Sequence, residues 1–314
     1  MIYYVCRAAY ADAFMRFVEG FREAKQLLQM ISYEDLLQAE AVPLGHYVFA
    51  DHDRLSAIEL ERAGAIARRL KARDPAVQIL NDPPLVLGRY ALLRDLSRRG
   101  MNPYDVARLD EGRSMRFPIY VRWETHDRQP TGLIQNEADY IAALARLSAV
   151  GKTRKDRVAV QVVDTRSPDG KYRKYGAFRI GDSILPHHVF VGDHWYVKRK
   201  QKILTSATIE EELDYVRTNP HRAALKRIFD IARIQYGRID YAIVGDSVVT
   251  FEINTHPGLP RATRADGRDL RREAVVAAML VAFANIDTEL HIEGDVSLRG
   301  LPTPEVLLHT GQLL

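Results

Sequence analysis

Apolar positions along the chain switch between two spacings, one repeating about every second residue and one close to 3.6, which mark strands and amphipathic helices respectively. An apolar opening strand, Ile2 to Cys6, is followed by a helical pattern over Asp12 to Lys25, a short helix near Tyr33 to Glu40 and a strand at His46 to Ala50. Asp53 or Ser56 offers a cap for an amphipathic helix ending near Ala72, and Val77 to Leu80 reads as the next strand. Such alternation predicts an α/β unit with a largely parallel sheet. Asn81-Asp82-Pro83-Pro84 then breaks the pattern and marks a first boundary, giving a domain over residues 1–84.

Beyond it, a helix over Val86 to Arg99 ends at Gly100, with Pro103 just past it. Phe117 to Glu124 and Arg157 to Asp164 read as strands around a helix at Ala138 to Leu147, completing a second unit over residues 85–163. A third unit, 164–290, carries an antiparallel run, helices at Ile209 to Arg217 and His221 to Gln235, and a hairpin. The most apolar stretch, Ala274 to Ile286, is too short to span a bilayer and reads as a buried helix. Residues 291–314 read as an irregular tail.

The hairpin holds the most informative chemistry. Ile239 to Val244 and Val248 to Ile253 flank Gly245-Asp246-Ser247, and Glu252 and Asn254, two apart, share one strand face. A three-residue loop pairs Val244 with Val248 and brings Asp240 opposite Glu252, whereas a two-residue loop shifts the register by one and separates them. Opposed carboxylates repel unless a cation lies between them, so the odd loop is the one that a metal site requires. Asp240, Glu252 and Asn254 then offer hard oxygen ligands suited to Mg²⁺ bound with phosphates. The plainer alternative leaves Glu252 and Asn254 on the solvent face of an ordinary hairpin.

Gly237-Arg238-Ile239-Asp240, then Glu252-Ile253-Asn254-Thr255-His256-Pro257-Gly258, resembles the metal-binding end of the ATP-grasp superfamily, which includes D-alanine:D-alanine ligases, glutathione synthetases and the ligases that add glutamate to ribosomal protein. The stretch from Tyr172 through Arg179-Ile180-Gly181-Asp182 to Lys198 looks like the central strands of bacterial ATP-grasp proteins, and the resemblance covers roughly residues 80 to 260. It implies an α/β (α+β) ATP-grasp fold behind a Rossmann-like pre-ATP-grasp domain, with ATP and Mg²⁺, or Mn²⁺ in its place, as cofactors. Arg89 and Arg122 stand where the family usually has phosphate-binding lysines, and an arginine fork is larger and less adaptable than an ammonium. Gln161 and Asp164 fall on the strand that reads adenine and ribose in the family, although Asp164 also suits a turn with Ser167-Pro168-Asp169-Gly170. Arg238 takes the oxyanion-stabilising position, and His256, Arg179, Tyr175 and Lys198 are candidates for substrate contact. A departure from the family is the loop Thr125 to Gly132, where one glycine stands in place of a glycine-rich cover for the triphosphate.

Composition changes the picture little. With 45 Lys plus Arg against 41 acids the net charge is +4, and a pI near 9.0 is not accompanied by any basic run interleaved with aromatics. The single cysteine, Cys6, cannot form an internal disulfide, which suits a reducing compartment, and no signal peptide pattern opens the chain; both point to the cytoplasm. The expected activity is an ATP- and Mg-dependent carboxylate–amine ligase acting through an acyl phosphate on small-molecule or peptide substrates. No nucleic acid or membrane partner is expected, and a homodimer is compatible with the sequence. A degenerate domain that binds nucleotide without turnover, and a basic nucleic-acid-binding protein, are the competing readings.

Overall fold

The computed structural model describes residues 1–112, 115–125, 131–149, 157–198, 202–262 and 269–304. Residues 126–130 of the glycine-poor loop, Arg128 among them, and the last ten residues of the tail lie outside these.

The first unit contains β1 (Ile2–Cys6), α1 (Asp12–Gly20), α2 (Arg22–Leu27), β2 (Leu28–Ser32), α3 (Tyr33–Gln38), β3 (Ala41–Pro43), β4 (His46–Phe49), α4 (Ala57–Arg73) and β5 (Ile79–Leu80). Its sheet is parallel, in the order β2-β1-β4-β5. Alternation sorts β1 between two cores: Ile2, Tyr4 and Cys6 pack with Phe14 and Phe17 of α1, while Tyr3 and Val5 face Tyr33, Ile66 and Leu70. Both faces are covered, so β1 is apolar throughout. Ser56 and Glu59 form a capping box at the start of α4, and Glu59 also accepts from Arg7 Nη2 at 2.6 Å. The helical pattern expected over Asp12 to Lys25 is two helices, broken where Phe21 turns extended.

The second unit adds α5 (Arg89–Arg98), β6 (Val106–Arg108), β7 (Ile119–Trp123), α6 (Glu137–Ala149) and β8 (Arg157–Gln161), with a three-stranded antiparallel sheet in the order β6-β8-β7. The third comprises β9 (Tyr172–Ile180), β10 (Ser183–Gly192), α7 (Ser206–Thr218), α8 (Arg222–Ala232), β11 (Tyr236–Val244), β12 (Ser247–Asn254) and α9 (Asp269–Ala284). Its antiparallel sheet runs β10-β9-β11-β12. One face packs on α8 through Ala177, Ile239 and Tyr241 with Leu225, Ile228 and Phe229. Part of the other, Phe178 and Ile180, packs on Val275, Met279 and Phe283 of α9, leaving the rest free for a cleft.

Two devices join the units. Asn81, fully buried with φ 61°, donates from Nδ2 to Phe49 O at 3.0 Å and Tyr236 O at 2.7 Å, and its Oδ1 accepts from the Gln235 and Tyr236 amides at 2.8 and 2.9 Å. The residue that breaks the sequence pattern thus also clamps the first sheet to the start of β11. A core of Leu93, Val106, Val158, Val160, Ala242 and Val249 fuses the second sheet to the third. The segment read as an irregular tail contains a strand, β13 (Asp295–Ser297), paired antiparallel with β3. Three residues are too few to show a period in sequence.

Candidate functional site

The β11–β12 hairpin does not close as the sequence reading required. Val244 pairs with Ser247, so the loop is two residues, with Gly245 at φ 57° in the first central position, where a type II′ turn places glycine. That register alone would separate the two acids. Between Thr250 and Glu252 the ladder shifts, Phe251 being the extra residue of a β-bulge, and Asp240 comes opposite Glu252 after all, with Arg238 opposite Asn254. The bulge also changes the parity of β12: Val249 and Phe251 line the same cleft as Glu252 and Asn254. Asn102 supports the irregular stretch by donating from Nδ2 to Thr250 O at 3.0 Å and accepting from the Thr250 amide at 2.9 Å. Tyr104 Oη donates to the same carbonyl.

Both carboxylates are held by cations. Glu252 Oε2 accepts from Arg89 Nη2 at 2.7 Å and Arg122 Nη2 at 3.0 Å. Asp240 Oδ2 accepts from Lys174 Nζ at 2.9 Å, and its Oδ1 from Arg238 Nε at 3.0 Å. Burial by itself would raise the Asp240 carboxyl, but Arg238 and Lys174 more than offset it and hold the group at about 2. Burial opposes ionisation of Glu252 too, and Arg89 with Arg122 again prevails, lowering it. Two anions and four cations therefore face one another beside a cavity of about 760 Å³. Part of its wall is apolar and aromatic, with Tyr104, Tyr120, Val160, Phe190 and Trp195, and part carries further Lys and Arg side chains.

No family model matches the chain, and no curated protein matches it in sequence. Solved structures do match. A D-alanine–D-alanine ligase from Bacillus anthracis complexed with ATP superposes with a TM-score of 0.51 at 12% identity, covering 91% of this chain and 97% of that one. An ATP-grasp ligase, PsnB, complexed with minimal precursor, Mg and ADP, gives the same TM-score, identity and coverages. The chain has the ATP-grasp fold. At such identities the likeness speaks for the fold alone, with the first unit preceding the ATP-grasp core.

Within this ATP-grasp frame the expected residues divide. Arg122, Gln161, Arg238, Asp240, Glu252, Asn254 and Lys198 line the cleft. Arg89 stands just behind it, donating also to Trp123 O at 3.2 Å and Glu124 O at 2.5 Å. Gln161 spends its side chain on the scaffold, accepting from the Asp105 amide at 2.8 Å. Asp164 is exposed and closed on Arg166 in a local turn, so the turn-forming reading describes it and it does not line the cleft. Tyr175 and Arg179 are on the wrong face. Alternation along β9 turns Lys174 toward Asp240, and hence Tyr175 toward Tyr215 and Tyr241 and Arg179 toward Asp230 of α8. Substrate contact by these two is therefore corrected. His256 is engaged with the first unit: its Nε2 donates to Tyr10 O at 2.9 Å, which leaves Nδ1 to accept from Tyr4 Oη at 2.8 Å.

Sequence reasoning missed Lys174 and gave the pair His187–His188 no role. The same parity that removes Tyr175 would have selected Lys174, had one cleft-facing residue of β9 been known. The His187 and His188 Nδ1 atoms lie 2.7 Å apart; burial, helped by His188 and Arg271, pushes the His187 imidazole down and keeps it neutral. The His188 ring lies over Gly176, where a Cβ would come within 2.2 Å of its Cε1. Glycine is required there for the close approach of the ring. Among the described residues, no cluster of three or more His, Cys, Asp or Glu is arranged to hold a metal. The oxygen set of two ionised carboxylates and the Asn254 amide fits a hard cation such as Mg²⁺, which completes its shell with phosphate and water.

Proposed function

We propose that the protein is an ATP- and Mg²⁺-dependent carboxylate–amine ligase that works through an acyl phosphate. The observation that carries this reading is the facing pair Asp240 and Glu252, each ionised and each bridged by two cations, beside an apolar slot. Adenine takes the slot between Tyr104, Tyr120, Val160 and Phe251, beside the segment Val162–Val163 that follows Gln161. Asp240, Glu252 and Asn254 would hold Mg²⁺, or Mn²⁺, which when bound draws the β- and γ-phosphates together and offsets their charge. Arg89, Arg122 and Lys174 transfer part of their hydrogen bonding from carboxylate to phosphate oxygens. An acceptor carboxylate oxygen attacks the γ-phosphorus and ADP departs; an amine then attacks the acyl carbon and phosphate leaves. Arg238, which donates to Asp240, would stabilise the oxyanion of the tetrahedral intermediate. Catalysis rests on positioning and charge, and the protein supplies no nucleophile.

Thermal stabilisation by ATP with and without Mg²⁺, followed by ADP release with mixed amino acids and small carboxylates, tests the reading. Magnesium-dependent stabilisation together with acceptor-dependent ADP release is expected. Stabilisation without turnover would instead favour the degenerate, binding-only reading that the single glycine of Thr125 to Gly132 suggests. No stabilisation at all would sink both. The inward-facing cations favour a small polyphosphate over a nucleic acid, and none of the described helices is long and apolar enough to cross a membrane. A cytoplasmic location and a homodimer remain part of the proposal.

A further inference from the structure

Amine attack on an acyl phosphate leaves one proton to be moved, from the nitrogen that forms the new bond to the phosphate that departs. The groups that bracket the phosphate end cannot carry it. Arg122, Lys174 and Arg238 are cations already, and they lower the proton affinity of the carboxylates Asp240 and Glu252. Burial pushes the Tyr104 and Tyr120 phenols up, so neither is a phenolate. An uncharged nitrogen base is what the chemistry lacks, and β10 turns two imidazoles into the cleft.

Their position follows from a second β-bulge. Pro186 pairs with Ala177 and His188 with Gly176, so His187 is the extra residue of β10. The shift lets both adjacent rings take the face that carries Lys174 and Phe178, where strict alternation would send one of them through the sheet. Two cross-strand rows result. His188, Gly176, Asp240 and Glu252 lie side by side across the four strands, which is the row of the two acids. Phe178, Arg238 and Asn254 form the next row, and the His187 ring stands edge-on to Phe178 with centroids 5.1 Å apart. His187 is thus in the row of Arg238, the side chain proposed for the oxyanion, and two strands separate it from Asn254.

Packing fixes both rings. His188 is 2% exposed, lies over Gly176 and stacks on Phe190 at 4.0 Å. It holds His187 through the 2.7 Å contact between their Nδ1 atoms, which leaves His187 Nε2 as the nitrogen that can serve a ligand. From α9, Arg271 donates to the His187 carbonyl and is itself paired with Glu212, Nε to Oε2 at 3.4 Å. Burial, His188, Arg271 and Arg238 oppose a second proton on His187 and outweigh Asp240, so the ring meets a substrate uncharged.

Building on the ligase reading, we propose that His187 is the general base of the amide-forming step, its Nδ1–H donating to His188 Nδ1 and its Nε2 accepting a hydrogen from the incoming amine. The amine attacks as the free base: its lone pair forms the C–N bond, and the carbonyl electron pair moves to the oxygen beside Arg238. Nε2 takes the proton from the nitrogen and the oxyanion recloses. The C–O bond to phosphate breaks with its electron pair on the phosphate, which receives the proton from the imidazolium. Attack on the γ-phosphorus by an ionised carboxylate needs no base, so His187 serves the second step only.

The test separates the two steps. Hydroxylamine is a free base near neutrality and captures acyl phosphates without assistance, so hydroxamate formation from small carboxylates reports the first step. ADP release with mixed amino acids as amine donors reports both. His187→Gln should lower amino-acid-dependent ADP release at least about a hundredfold and hydroxamate formation less than about threefold. In His187→Ala, added imidazole should restore at least about a tenfold share of the lost rate, whereas pyrazole, a ring of the same size and a far weaker base, should not. Thermal stabilisation by Mg-ATP in either variant shows that its site is formed; its loss in both would make His187 a structural residue and overturn the assignment. So would a parallel fall of both activities, no fall in either, or equal rescue by the two rings. A parent that forms neither hydroxamate nor ADP overturns the ligase reading and the base with it, while a parent that turns over and a His187→Gln that keeps pace overturn the base alone.

Discussion

Glu252→Gln is the substitution that probes the site most directly. It removes one negative charge from between two guanidiniums while keeping the shape of the side chain. Arg89 and Arg122 are 13% and 6% exposed and Glu252 18%, so water can do little to compensate. Breaking a buried pair by removing one partner costs about 3–5 kcal/mol, and the residual exposure of Glu252 and Arg89 argues for the lower end, about 3 kcal/mol. An unfolding entropy of about 2.1 cal/mol/K per residue over the 314 residues converts each kcal/mol into about 1.5 °C. The ligand-free variant should therefore melt about 4–5 °C below the parent in a thermal scan. Ligands should respond oppositely. For the parent, ATP with Mg²⁺ at about 100 times Kd adds about 2.7 kcal/mol, or about 4 °C, and chelating the metal reduces this gain. For the variant, the liberated guanidiniums still grip phosphate, so metal-free ATP stabilises it at least as well as the parent, and adding Mg²⁺ contributes nothing further. A variant whose Mg²⁺ increment equals the parent's would remove Glu252 from the metal site. A ligand-free variant that melts higher than the parent would overturn the charge argument itself.

Other consequences follow from the same contacts. Asp240, held at about 2 against an ordinary 3.8, contributes stability that is fully present above 3.8 and lost as pH falls toward 2. Asp240→Asn should therefore flatten the loss of stability between about pH 4 and 2, by about 2 kcal/mol in urea unfolding; parallel pH profiles for parent and variant would refute the pairing. Gly176→Ala forces a methyl against the buried His188 ring, stacked 4.0 Å from Phe190, and should cost about 1–3 kcal/mol, in part recovered by adding His188→Ala. Without any such recovery in a double-mutant cycle, the strain lies elsewhere. Asn81→Ala removes four side-chain hydrogen bonds and leaves alanine at φ 61°, for a loss of about 3 kcal/mol or more. A loss under about 1 kcal/mol in chemical unfolding would show that the first unit is not clamped there.

The alternating α/β order and the long helices were legible because their apolar periods run over many residues. The opposition of Asp240 and Glu252 was legible only by accident of arithmetic. A three-residue loop and a two-residue loop followed by a bulge give the same pairing beyond Phe251, and the sequence cannot distinguish them. The bulge depends on Asn102, nearly 150 residues away, whose amide supplies the partners that Thr250 needs. Nothing local to the hairpin announces that. Face assignment failed for a related reason: alternation orders Lys174, Tyr175 and Arg179 relative to one another, but only the contact with Asp240 says which set looks into the cleft. Short strands such as β6 and β13 carry too few residues for any period to emerge.

Arg89 and Arg122 show how a departure from an expected residue type can be structural and chemical at once. From the start of α5, Arg89 reaches Trp123 O, Glu124 O and Glu252 Oε2, thereby joining the end of β7 to β12 across the cleft. An ammonium has three donors but no plane, and it could not hold two consecutive carbonyls while presenting a second nitrogen to a carboxylate. The arginine thus braces the end of β7 against the strand that carries the acids. The consequence for binding is a competition. On the proposed reading, phosphate oxygens would have to draw the guanidinium from a carboxylate already bonded to it, so a triphosphate would gain most when a divalent cation takes over that carboxylate. If the proposed function holds, metal and nucleotide should bind more strongly together than either does alone, the coupling residing in the two hydrogen bonds that Glu252 accepts.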